Sequence, residues 1–135
     1  MKRIVIIPVV ILSLLNFDNF ANTIQHLGSN VIPKSIKPKL PQKGKASFYS
    51  DRYSGKRTAN ADLYDPNLLT AAHEYLPLGQ KVKVTNLANN KSVIVIINDR
   101  CACSKHGRVI DVSKTAANEL DFVQKGIAKV SITAL

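Results

Sequence analysis

Glycine is scarce in this chain, six in 135 residues, and nowhere clustered. No glycine-rich phosphate cradle is present, which removes the nucleotide sites built on one. No serine or cysteine sits on a recognisable nucleophile turn, which removes the Ser/His/Asp and Cys/His hydrolases of that type. Cysteine is limited to Cys101 and Cys103. With His106 they offer three ligands, one short of a usual structural zinc set. A disulfide across Ala102, or a pair of free thiols, is favoured over a metal, and no cofactor is expected. Acidic residues number nine against nineteen lysines and arginines, a formal charge of +10.

That charge is unevenly spread. Residues 1–21 read as a signal peptide or an uncleaved anchor: Met1-Lys2-Arg3, then the apolar run Ile4 to Leu15, then polar residues ending at Ala21. The run is short for a membrane span. No cysteine lies near that junction, so the expectation is an exported protein of the periplasm or cell envelope that is not a lipoprotein. Residues 22–44 read as a linker, with Pro33, Pro38 and Pro41 among Lys34, Lys37, Lys39 and Lys43. Such a basic arm suits an anionic envelope surface. Nucleic acid is not expected as a partner, and a monomer is. After Lys45 twelve cations face eight acidic residues, so residues 45–135, the expected domain, are only mildly basic.

Within that domain the pattern is one of short strands. Ala46 to Ser50 alternates weakly, and Gln80 to Leu87 alternates cleanly with Val82 and Val84 on one face. Asn89-Asn90 then predicts a turn into Lys91 to Asn98, making a hairpin. The unbroken apolar run Val93 to Ile97 predicts a strand buried on both faces or set inside a barrel wall. Arg108 to Val112 is a further strand. Ser113 to Leu120 is the single predicted helix, capped by Ser113. Beyond Gly126 a last strand runs from Ile127 to Leu135. The segments KVKVTNL (81–87) and KVSITAL (129–135) match at four of seven positions. That faint echo suits a barrel made of two related halves, which also leaves no exposed sheet edge.

The chemistry concentrates between Thr58 and His73. Asp62, Tyr64, Asp65 and His73 share a turn-rich stretch with Pro66. Taken alone, the two aspartates suit turns whose side chains bond their own backbone. Asp99 in IINDR and Asp111 in GRVIDVS are two further carboxylates. Apolar neighbours around Asp111 predict desolvation, which raises a carboxyl toward the acid role. Asp99, next to Arg100, suits the ionised form. Tyr49, Tyr53 and Tyr64 are candidate platforms for sugar rings, and Arg100 a candidate substrate contact.

Three stretches, GKASFYSDRYSGKRTANADLYD, LTAAHEYLPLGQKVKVTNLANNKSVIVIINDRC and GRVIDVSKTAANEL, resemble the rare lipoprotein A (RlpA-like) family. The resemblance implies a mainly β fold, a six-stranded double-psi β-barrel with one short helix, related to expansins and family-45 endoglucanases. It implies an envelope lytic transglycosylase that cleaves peptidoglycan glycan strands to 1,6-anhydromuramic ends, favouring strands without stem peptides. It carries the family's aspartate and histidine onto Asp65 and His73, and its other motifs onto Asp99 and Asp111. On chemical grounds His73 is expected to hydrogen-bond Asp65 and tune the pair. Two departures stand out. Ala61-Asp62 replaces the family's usual Gly-Glu, and Arg100-Cys101-Ala102-Cys103-Ser104 replaces its Arg-Gly-Pro-Phe. The alternative implied is a non-catalytic, expansin-like module that binds cell-wall glycan.

Overall fold

The computed structural model describes residues 39–135. The expected signal peptide and most of the expected linker lie outside the described residues. Six strands close into a barrel: β1 (Gln42–Phe48), β2 (Thr70–Ala72), β3 (Lys81–Asn86), β4 (Ser92–Asp99), β5 (Arg108–Val112) and β6 (Ala128–Ala134). Around the ring the order is β1-β5-β2-β4-β3-β6. The helix α1 (Lys114–Glu119) follows β5, and short 3-10 turns occupy Asp51–Tyr53 and Cys103–His106. No helix among the described residues is long and apolar enough to cross a membrane.

The barrel has the symmetry that the sequence echo suggested. Strands β1 and β5, and strands β2 and β4, pair in parallel; the other neighbours are antiparallel. Exchanging the first three strands for the last three leaves every neighbour and every pairing sense unchanged. The echoed segments are β3 and β6, which pair with each other across that symmetry. Val82 faces Ala134, while Val130, the counterpart of Val82, faces Asn86, the counterpart of Ala134.

Alternation fills the interior. Val82 and Val84 from β3, Val93, Val95 and Ile97 from β4, Ile110 and Val112 from β5, and Val130 and Ile132 from β6 are all buried. Phe122 and Leu120 close the core beyond α1. The helix starts at Ser113 as expected, its hydroxyl accepting from the Ala116 N–H. Asn90 takes the left-handed conformation of the β3–β4 turn. Two expectations differ from the structure. Strand β1 begins at Gln42, inside the stretch read as linker, because Gln42 to Ala46 pair with β6. The three-residue β2 was not read as a strand at all. Of the two settings expected for Val93 to Ile97, β4 takes the barrel wall: Ile94 is 49% and Ile96 39% exposed on its outer side.

Both parallel pairs contain an irregularity near one end of the barrel. In β5, Val109 is an extra residue: Lys45 pairs with Arg108 and the next residue, Ala46, with Ile110. In β4, Asn98 is extra: Ala71 pairs with Ile97 and Ala72 with Asp99. Such bulges re-aim the side chains that follow them. Gly44 makes room for the first. A Cβ there would sit 2.3 Å from a Val109 methyl carbon.

Candidate functional site

A groove of about 510 Å³ opens where these bulges lie. Asp99 and Asp111 both line it, with Ser47, Tyr49 and Tyr53 on one wall and Arg100 and Cys101 on another. Strand parity explains part of this. Ser47 and Tyr49 are two apart and share a face, and Ser47 pairs directly with Asp111 across the parallel β1–β5 ladder.

Asp99 is held as an acceptor from three directions. Its Oδ2 accepts from the Tyr49 hydroxyl at 2.6 Å, and its Oδ1 from the Ala59 and Arg100 N–H groups, each at 2.8 Å. Burial, and next the hydrogen bond to Asp99, push the Tyr49 phenol far above its ordinary range, so it keeps its proton and donates. Tyr49 is itself fixed by stacking on Tyr64, centroids 4.4 Å apart, and by an edge contact with Tyr53 at 5.7 Å.

Asp111 sits in a different setting from the apolar one its sequence neighbours predicted. Its Oδ1 accepts from the Ser47 hydroxyl and from Arg108 Nε at 2.9 Å; its Oδ2 meets only an Arg108 terminal nitrogen, at 3.3 Å. Ile110 and Val112 point into the core, and Val109 packs partly buried against it. In a regular strand Arg108 and Asp111, three apart, would point to opposite faces. The extra residue Val109 restores their parity, so the ion pair depends on the bulge. Neither Ser47 nor Arg108 was foreseen. Both follow from long-range pairing and a bulge that local spacing does not show.

His73 does not reach Asp65. It is 1% exposed. Its Nδ1 accepts from the Tyr75 and Leu76 N–H groups at 3.1 and 3.0 Å, so the ring proton sits on Nε2, which donates to Gln42 Oε1 at 3.0 Å. Burial first, then the nearby Arg100 charge, push its pKa down to about 4, and the ring is neutral near pH 7. Its backbone touches the site more directly. The His73 N–H donates to the Asp99 carbonyl at 3.1 Å, and Arg100 donates to the His73 and Leu76 carbonyls at 3.1 and 2.6 Å. His73 therefore props the Asp99-Arg100 corner from behind.

The remaining expected residues divide. Asp65 accepts from the Asn67 N–H at 2.9 Å, the turn role its sequence also allowed, and does not line the groove. Asp62 is exposed and accepts from Asn60 Nδ2 at 2.8 Å; it too is off the groove lining, although its loop touches Asp99 through Ala59. Tyr64 is buried at 4% exposure, its hydroxyl accepting from the Lys114 N–H, so it supports Tyr49 instead of facing a sugar. Tyr53, 37% exposed, remains on the wall. Arg100 lines the groove, with one guanidinium nitrogen engaged by the two carbonyls.

Cys101 and Cys103 form a disulfide. Their sulfurs and the Asp111 carboxylate lie within 4.8 Å of one another, whereas His106 is not part of that cluster. Sulfurs bonded to each other are poor metal donors, since the thiolate is the ligand. The loop that carries them is tied down by Glu74, which accepts from the Ser104 N–H at 3.1 Å and the Ser104 hydroxyl at 3.0 Å. Those bonds, with one from Tyr75, hold the Glu74 carboxyl below its usual range.

Comparison with known proteins adds the following. Residues 41–132 match the family described as "Lytic transglycolase". The chain is 50% identical over 109 residues to the endolytic peptidoglycan transglycosylase RlpA of Rickettsia bellii, covering 76% of this chain and 48% of that protein. It is 47% identical over 106 residues to the protein of the same name from Neisseria meningitidis serogroup A, covering 78% of this chain and 44% of the relative. The chain thus spans less than half the length of either relative. Among solved structures, the fold is similar to Streptomyces papain inhibitor, with a TM-score of 0.53 at 22% identity over 68% of this chain and 94% of that one. It is equally similar to cerato-platanin 3 from M. perniciosa, with a TM-score of 0.53 at 13% identity over 70% of this chain and 94% of that one.

Proposed function

The chain belongs to the lytic transglycolase family, and from that premise we propose that it is an envelope enzyme cleaving peptidoglycan glycan strands to 1,6-anhydromuramic ends. The observation that carries this reading is the pair of carboxylates, Asp99 and Asp111, in one groove with different hydrogen-bond environments. Breaking a glycosidic bond needs an acid for the leaving oxygen and stabilisation of the positive charge that develops on the sugar. In a lytic transglycosylase the muramic 6-hydroxyl attacks its own anomeric carbon, so no second carboxylate is needed to activate water. One carboxyl gives a proton to the leaving oxygen and then takes one from that hydroxyl.

Occupancy of the oxygens supports a division of roles. Both oxygens of Asp99 face donors that are backbone N–H groups or a phenol kept protonated, which leaves little room for a carboxyl proton. Asp99 suits the charge-stabilising carboxylate. Asp111 Oδ2 has one long contact, from an Arg108 terminal nitrogen, so it can carry the proton once substrate displaces that contact. Arg108 then holds the negative charge that Asp111 acquires. The strands favoured are those without stem peptides, and the site of action is the cell envelope, where the basic arm lies along anionic polymer.

The test is digestion of peptide-stripped peptidoglycan, with mass spectrometry for 1,6-anhydro ends. Asp111→Asn should cut product formation by about 10²–10⁴-fold, the range of general acid catalysis, while glycan binding survives. Loss smaller than tenfold would remove Asp111 from the acid role. Glycan binding with no cleavage by the unaltered chain would leave the expansin-like binding module in its place.

A further inference from the structure

Arg100 and Arg108 are both engaged: the first by two carbonyls, the second by Asp111. Arg57, also on the groove, donates to the Ala61 carbonyl at 3.2 Å. The two remaining groove cations, Arg52 and Lys56, are not engaged in either way. Arg52 and Lys56 have no carboxylate partner among the described residues. Arg52 makes only a long 3.4 Å contact to the Tyr53 hydroxyl. Instead the two cations flank one ring. The Arg52 guanidinium carbon lies 5.1 Å and the Lys56 ammonium 5.3 Å from the Tyr53 centroid.

The local fold fixes this arrangement. Asp51, the acid nearest in sequence to Arg52, is drawn away by Lys114, whose ammonium meets both its oxygens at 2.8 and 2.9 Å. The Lys56 backbone is clamped to Tyr64: Gly55 N–H donates to the Tyr64 carbonyl and Tyr64 N–H to the Lys56 carbonyl. Gly55 itself has φ +77, a left-handed turn that glycine adopts without penalty. Tyr53 packs edge-on against Tyr49, which holds Asp99. The two cations therefore connect to Asp99 through two aromatic rings, Tyr53 and Tyr49, on the same groove.

We propose that Arg52 and Lys56 form a carboxylate clamp for the free lactyl carboxylate of muramic acid. This rests on the glycan-strand reading above and supplies its specificity. On a strand that bears stem peptides the lactyl carboxyl is an uncharged amide; once the peptide is removed it is an anion. Hydrogen bonds from a cation to a carboxylate are roughly twice as strong as neutral ones. The Tyr53 ring attracts both cations without neutralising them. A groove built this way favours strands by the charge of the lactyl group, in addition to any steric exclusion of the peptide.

The probe is a set of soluble, peptide-stripped glycan strands, used either as they are or with their lactyl carboxylates converted to methylamides. Binding to the full chain is measured by calorimetry at two salt concentrations, alongside KM and kcat for cleavage. The carboxylate strands should bind roughly tenfold more tightly than the methylamide strands, and only their binding should weaken in salt. Arg52→Gln and Lys56→Gln should each remove about threefold of this preference. The double variant should remove most of it, through KM and not kcat, with methylamide binding unchanged. Arg52→Lys and Lys56→Arg should retain most of it. Equal binding of the two strands by the unaltered chain overturns the clamp, as does a double variant that weakens both strands alike. If the carboxylate preference is present but neither strand is cleaved, the clamp stands and the transglycosylase reading fails. Cleavage of both strands with equal KM has the opposite meaning.

Discussion

Tyr49 offers a test of the site that leaves the fold alone. Tyr49→Phe removes one hydroxyl, the 2.6 Å donor to Asp99 Oδ2. It keeps the ring that stacks on Tyr64 and meets Tyr53 edge-on. A hydrogen bond to a charged group contributes about 1.5–3 kcal/mol. Asp99 still has the Ala59 and Arg100 N–H donors, and water can reach a groove-lining oxygen, so the lower end applies. About 1.5 kcal/mol lost from the positioning of Asp99 in the transition state is about a tenfold fall in kcat. The assay is the release of anhydro-ended fragments from peptide-stripped glycan, read by mass spectrometry, with thermal unfolding as a control for the fold. The melting temperature should move little. If Tyr49→Phe keeps full activity while Asp99→Asn is folded and inactive, the Tyr49 hydroxyl does not orient Asp99, and Tyr49 is packing alone.

Three further outcomes follow from named contacts. His73 has a folded pKa of about 4, below the ordinary 6.5, so its contribution to stability is complete above pH 6.5 and is lost as pH falls toward 4. The loss should approach roughly 3 kcal/mol, and urea titrations at pH 7 and pH 4.5 should show a shallower acid slope in His73→Gln; equal slopes would mean the ring is not buried neutral. Gly44→Ala should cost about 1–3 kcal/mol by overpacking against Val109, and because that bulge aligns Arg108 with Asp111, activity per folded molecule should fall too; normal activity in the folded fraction would uncouple the bulge from the site. Ala61 lies at φ +71, where the related family's glycine would be unstrained. Ala61→Gly should therefore raise stability by about 1 kcal/mol in the same urea titration, and a decrease would show that the loop favours alanine for another reason.

How much was legible in the sequence depends on the distance over which each feature is determined. The hairpin of β3 and β4, the strand β5 and the Ser113 cap are set by neighbours a few residues apart, and alternation, turn residues and capping preference reveal them. The double-psi barrel came from resemblance. The echo between 81–87 and 129–135 added the relation between β3 and β6, because equivalent strands need the same inward row. Asp99 and Asp111 were legible as carboxylates at strand ends. Their partners were not. Ser47 lies 64 residues from Asp111 and meets it only through a parallel ladder. The apolar sequence around Asp111 misled because Ile110 faces the core while its neighbour faces the groove. Val93 to Ile97 left two settings open, and β4 takes the barrel wall: five apolar residues in a row still alternate, with Ile94 and Ile96 outward. His73 was legible as important, but the reason lies in Gln42, a residue assigned to the linker.

The two extra residues, Val109 and Asn98, tie these successes and failures together. A closed barrel has a core face that strict alternation fills, and Val93, Val95 and Ile97 obey it. Continued by one more step, that row would send Asp99 inward. Burying a carboxylate in an apolar core without partners is costly enough that it would neutralise or unfold the end of the strand. The bulge at Asn98 breaks the parity where the core ends, so Asp99 leaves the inward row and meets the groove donors instead. In β5 the bulge works at the strand's start, bringing Arg108 to the side of Asp111. The groove thus forms where the periodicity that builds the barrel is interrupted, which is why the pattern that predicts the core strands cannot predict the site. It also sets a limit on variation. Residues along the inward rows can exchange among apolar side chains of similar volume, whereas a change that removes either bulge, or the glycine that admits one, moves both the core row and a groove residue together.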